Sequence, residues 1–126
     1  MRFEESSLQQ WCVSFLTYKY SHLFCHHSPN EGVRSDFQGA VLKKEGTKKG
    51  WPDLEILANG TIYFVEFKTP KGRQSDAQKA VEKVLTKMGY KYMICRTRED
   101  FIELCHENFG EERDPNVERL KEILNS

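Results

Sequence analysis

The chain has 126 residues, 38% hydrophobic and 30% charged, with 19 Lys plus Arg against 19 Asp plus Glu. That length suits one compact domain over 1–126, and the composition excludes a disordered chain. A formal net charge of zero excludes a uniformly basic nucleic-acid coat and turns attention to local charge clusters.

No apolar run is long enough for a bilayer span. Met1-Arg2-Phe3-Glu4-Glu5 lacks the basic-then-apolar pattern of a secretory signal. An intracellular setting is expected: cytoplasm or nucleoid, or host cytoplasm for a viral protein.

The first helix is expected from Glu5 to about Tyr20, where Leu8, Cys12, Phe15, Leu16 and Lys19 recur at three- and four-residue steps. Cys25-His26-His27 follows. Adjacent ligands rarely converge on one ion, and no second pair stands at zinc-finger spacing, so Cys12, Cys25, Cys95 and Cys105 read as buried thiols. Ser28-Pro29-Asn30-Glu31-Gly32 is rich in turn formers. Ser35 or Asp36 can cap a short helix through Leu42, ended by Gly46, though a strand fits there as well. Lys43, Lys44, Lys48 and Lys49 then form a basic cluster.

Leu54–Ala58 and Thr61–Phe67 are β-rich runs separated by Asn59-Gly60. Asn-Gly suits a type I′ hairpin, in which both central residues need positive φ. The second run should stop at Thr69-Pro70, because proline has no amide to donate. A helix is expected from Ser75 to about Met88, with Ala77, Val81, Val84, Leu85 and Met88 as its apolar stripe and Gly89 as its stop. Tyr90 to Arg96 reads as a strand, and Glu99 to Phe109 as a helix with Phe101, Ile102 and Cys105 inward. Asp114-Pro115 starts a last helix to about 125, with Val117, Leu120 and Leu124 on one side.

The strand-helix-strand step from Phe64 to Cys95 makes a crossover between parallel strands. Both faces of the hairpin are apolar and need cover. The expected fold is α/β: a small mixed sheet flanked by helices, with a core over about 5–105 and a C-terminal helix over about 114–125.

A two-residue loop sets the hairpin register. Ala58 faces Thr61, Ile56 faces Tyr63 and Leu54 faces Val65, so Asp53 falls opposite Glu66 provided no bulge intervenes at Pro52. Opposed residues have Cβ atoms about 4.5–5.5 Å apart, where two carboxylates repel. Lys68 shares their face by strand parity. A divalent cation relieves the repulsion, and carboxylate oxygens suit Mg2+ or Mn2+. Such an ion can clamp a phosphodiester and acidify a water, while the lysine stabilises developing charge. The plainer account of Glu66-Phe67-Lys68, a half-exposed strand with a same-face ion pair, leaves charges in a central strand unexplained.

Pro52-Asp53 with Glu66-Phe67-Lys68 resembles the PD-(D/E)XK nuclease signature. The wider pattern is similar to the short stand-alone VRR-NUC family: Pro29-Asn30-Glu31-Gly32-Val33-Arg34, Gly50-Trp51-Pro52-Asp53-Leu54, Phe64-Val65-Glu66-Phe67-Lys68, Gly72-Arg73-Gln74-Ser75-Asp76-Ala77-Gln78 and Gly89-Tyr90. The resemblance implies a restriction-endonuclease-like core and a Mg2+- or Mn2+-dependent DNA endonuclease. It gives Asp53, Glu66 and the Phe67 carbonyl to the metal, and Lys68, Gln78 and Glu5 to the catalytic set. The family's name tripeptide is not visible here as written, and Glu31 stands where similar short members carry glycine. Gln78 also completes a capping box with Ser75, and Glu5 suits a helix N-terminus electrostatically. Trp51 reads as a packing residue, and Gly50 as serving the turn into the strand.

Lys43, Lys44, Lys48 and Lys49 on one side, with Lys71 and Arg73 on the other, would neutralise DNA phosphates without reading sequence. With no recognition helix in view, branched or junction DNA is the expected substrate and a homodimer the expected assembly. The alternative is a non-catalytic DNA- or protein-binding module on the same fold.

Overall fold

A computed structural model describes residues 3–28, 36–113 and 115–126. The elements in chain order are α1 (Phe3–Lys19), β1 (Phe24–His27), α2 (Asp36–Lys44), β2 (Leu54–Ala58), β3 (Thr61–Phe67), α3 (Asp76–Lys87), β4 (Lys91–Cys95), α4 (Arg98–Phe109) and α5 (Pro115–Leu124). The stretch Pro29–Arg34, the Ser35 cap and the Asp114 cap lie outside the described residues, as do the side chains of Asp36, Leu42 and Val117.

The hairpin forms in the expected register. Asn59 and Gly60 adopt φ of 53° and 74°, the positive values a type I′ turn requires. From that bend the ladder runs outward through Ala58↔Thr61 and Ile56↔Tyr63 to Leu54↔Val65. The crossover through α3 sets β4 parallel to β3. β3 ends at Phe67, two residues before Thr69, although the Lys68 amide still donates to the Cys95 carbonyl at 3.0 Å. The sheet order is β1-β2-β3-β4. Sequence patterning did not anticipate β1, which pairs antiparallel with β2 through Phe24↔Leu57 to His27↔Leu54. The short helix α2 forms where a helix or a strand both fitted.

One sheet face carries the core. Leu54, Ile56, Tyr63, Val65 and Phe67 pack with Cys12, Leu16 and Tyr20 from α1 and its end, and with Phe101, Leu104 and Cys105 from α4. The opposite face carries Phe64, whose ring is edge-on to Trp51 at 5.5 Å and to Tyr90 at 5.5 Å. α3 covers this second face only in part. Leu85 is buried, whereas Val84 and Met88 of the expected stripe are 56% and 66% exposed. An open apolar groove of about 760 Å³ runs between α3 and the sheet, with Trp51, Phe64 and Val81 among its walls and Lys48 and Lys49 at its rim. On α5, Leu120 and Leu124 face solvent instead of a core, together with Ile123.

Candidate active site

Asp53 stands immediately before β2, where the last ladder pair is Leu54↔Val65, and Glu66 follows Val65 on β3. The backbone and side chain of Asp53 are both tied down. The Asp53 carbonyl accepts from the Ser28 amide at 3.2 Å and lies 2.8 Å from His27 Nδ1. Its Oδ2 accepts from the Phe67 amide at 2.8 Å. The carboxylate therefore bridges β2 to the end of β3, and the residue is buried. His27 Nδ1 also meets Gln9 Nε2 at 2.7 Å, which joins α1 to the same corner.

Glu66 is wholly buried, on the α3-side face, where strand parity groups it with Phe64. A carboxylate taken out of water needs partners. Here one oxygen has two. Tyr92, on β4, donates its hydroxyl to Oε1, and Gln74 donates Nε2 to the same atom at 3.3 Å. Gln74 Nε2 also donates to Glu82 Oε1 at 3.1 Å. The other oxygen, Oε2, is buried with no hydrogen-bond partner. Leaving a buried acceptor unpaired costs about 1–3 kcal/mol, and more when the group is charged. Burial, the hydrogen bond to Glu66 and the fields of Glu66 and Glu82 all push the Tyr92 hydroxyl pKa well up, so it stays protonated and donates.

Lys68 is half-buried, two residues beyond Glu66 on the same face. The loop after it is shaped by Arg96, whose Nη1 donates to the carbonyls of Thr69 at 2.8 Å and Gly72 at 2.7 Å. That loop presents Lys71 and Arg73 to solvent and leads to Gln74. Lys43, Lys44, Lys48 and Lys49 are likewise exposed, at the end of α2 and in the loop after it.

Gly50 has two reasons to be glycine. Its φ is +82°, and a Cβ there would stand 2.5 Å from the Ala77 carbonyl carbon and 2.7 Å from the Gln78 amide. The segment leading to Asp53 thus lies directly against the first turn of α3. Trp51 packs on Phe64 and donates Nε1 to Glu55 Oε1 at 3.0 Å.

The helper residues separate. Gln78 completes the Ser75 capping box: its Oε1 accepts from the Ser75 amide at 2.8 Å and its amide donates to Ser75 Oγ at 3.1 Å. The glutamine that reaches Glu66 is Gln74, which sequence reading did not single out, and Tyr92 was equally unmarked. Glu5 lies one turn before Gln9 on the same side of α1 and is half-buried, whereas Glu4 is exposed. Among the described residues no three His, Cys, Asp or Glu side chains gather where they could hold a metal ion.

Solved structures that share this architecture include two VRR_NUC domains. One, a "VRR_NUC domain protein", is 22% identical, with a TM-score of 0.69 over 90% of this chain and 98% of that one. The other, a "VRR_NUC domain", is 17% identical, with a TM-score of 0.62 over 86% of this chain and 100% of that one. They support the fold seen here, a four-stranded mixed sheet flanked by helices. The VRR-NUC domain profile matches residues 1–99, most of the chain, and the protein belongs to that family. It is therefore a nuclease-type, DNA-acting domain. No curated protein matches it.

Proposed function

We propose that the protein is a Mg2+- or Mn2+-dependent DNA endonuclease selective for branched or junction DNA. The observation that carries this reading is Glu66. It is a fully buried carboxylate with an unpartnered oxygen, next in sequence to Phe67, whose amide donates to the buried Asp53. An ordinary structural carboxylate would have that oxygen satisfied. Hard, anionic oxygen donors suit a small divalent cation. Asp53, Glu66 and the Phe67 carbonyl would hold it; Glu5 is not gathered with them among the described residues.

A bound cation supplies Lewis-acid polarisation of the scissile phosphate and acidification of a water. The chain's own groups do the rest. Strand parity turns Lys68 to the Glu66 face, from which its ammonium would stabilise charge developing on the phosphate oxygens and help orient the attacking water. The water oxygen bonds to phosphorus as it gives up a proton, the bond to the leaving ester oxygen breaks and that oxygen takes up a proton, which leaves a phosphate monoester and a free hydroxyl. Lys43, Lys44, Lys48, Lys49, Lys71 and Arg73 pair with flanking phosphates, which supplies affinity without sequence choice. A junction offers two equivalent strands to cut, and a symmetric homodimer matches that demand. We assign its interface to Leu120, Ile123 and Leu124 of α5, which are exposed.

The test is cleavage of junction, flap and linear duplex DNA with and without Mn2+, comparing the native protein with Lys68→Ala. The expected result is metal-dependent cutting of junctions, reduced about 100-fold or more in the variant. Undiminished cutting by Lys68→Ala would remove the lysine from the chemistry, and equal cutting of all three DNAs would remove the junction preference.

A further inference from the structure

We infer that Tyr92 and Gln74 are positioning residues that aim Glu66, with Glu82 holding Gln74 in place. This rests on the assignment of Asp53 and Glu66 as a cation site.

A carboxylate on a short side chain can turn either oxygen toward a ligand. Here both donors, the Tyr92 hydroxyl and the Gln74 amide, converge on Oε1, and Oε2 is left buried and bare. An arrangement built only to satisfy a buried acid would spread two donors over two oxygens. This one saturates one oxygen and reserves the other.

The donors come from two independent directions. Tyr92 is on β4, in register with Phe64 on β3, so its ring rises from the same sheet face as Glu66. Gln74 comes from the loop before α3. Its single amide nitrogen carries two hydrogens, one for Glu66 and one for Glu82 Oε1. The amide thereby bridges two carboxylates that would otherwise repel each other. Arg96 fixes the carbonyls of Thr69 and Gly72 just upstream, which limits where Gln74 can go. Both donors are neutral, so they fix the orientation of Glu66 without cancelling the charge that attracts a cation. Hydrogen bonds of this kind around a ligand are worth about 10- to 100-fold in metal affinity.

The experiment is calorimetric titration of Mn2+ into the DNA-free protein, for the native chain, Tyr92→Phe, Gln74→Leu and Glu66→Gln, with circular dichroism confirming the fold of each. Native binding, its loss in Glu66→Gln, and Kd values raised about tenfold or more in Tyr92→Phe and Gln74→Leu are expected. In the two positioning variants, raising Mn2+ should restore most of the cleavage rate. A purely structural defect would not respond to metal in that way. Should Tyr92→Phe fail to fold, Gln74→Leu and Gln74→Asn carry the same comparison. Kd values within twofold of native in folded positioning variants, with Glu66→Gln still silent, overturn the positioning role and leave the cation site standing. No Mn2+ binding by the native protein overturns the site itself and the positioning role with it.

Discussion

On the proposed reading, Asp53 serves two ends. Its Oδ2 accepts from the Phe67 amide, so the side chain helps close the sheet at the point where it would offer charge to a cation. The two roles are separable. Asp53→Asn keeps an acceptor for that amide and should melt near the native temperature, while cleavage falls to background. Asp53→Ala should in addition lose about 1–3 kcal/mol in a urea titration, because the Phe67 N–H is left buried without an acceptor. Gly50 makes the companion case. Any Cβ there meets the backbone of Ala77 and Gln78, and φ is +82°. Gly50→Ala should therefore destabilise by more than about 1 kcal/mol, and a thermal melt will read it. The positive φ was foreseeable from a glycine before a strand. The close approach to α3 was not, because it depends on where a helix more than 25 residues later comes to rest.

At the scale of elements, the sequence is readable wherever one local rule dominates. Asn59-Gly60 sets the register, and Ser75 with Gln78 marks the start of α3, where the capping box is formed. Ser75→Ala should cost about 1 kcal/mol. β1 escaped because Phe24-Cys25-His26-His27 has only four residues, half of them histidine. It is an edge strand with Phe24 76% exposed, so no apolar run announces it. Tyr92 and Gln74 escaped for a different reason. Their relation to Glu66 spans 26 and 8 residues and exists only once β4 and the loop before α3 are in place. The ends of α1 and α4 are joined by Tyr20, whose hydroxyl donates to the Gly110 carbonyl at 2.7 Å. Burial first, then the fields of Cys105 and Glu112, push its pKa from 10.0 up to about 12. The folded state thus resists losing that proton more than the unfolded state does. This contribution is intact below pH 10 and drains away as pH rises toward about 12. Urea midpoints should fall across that window, and Tyr20→Phe should flatten part of the fall.

At the scale of the whole molecule, zero net charge coexists with exposed Lys43, Lys44, Lys48, Lys49, Lys71 and Arg73. DNA affinity should therefore fall steeply with salt, and removing both Lys48 and Lys49 should reduce the log–log slope by about 2 without changing substrate preference. Sedimentation should show a dimer that Leu120→Glu with Leu124→Glu converts to monomer. Unchanged mass would remove α5 from the interface. The core has one more consequence. Cys12, Cys95 and Cys105 are fully buried and, like Cys25, are free thiols. The hydrogen bond with Cys95, and then burial, hold the Cys12 proton tightly, which keeps that thiol chemically quiet while folded. Heating removes that protection: exposed thiols ionise near pH 8.5 and are open to oxidation. Cooling in air should then trap cross-linked chains, whereas cooling with a reductant should return the starting spectrum, so storage history will govern how much competent protein a preparation contains.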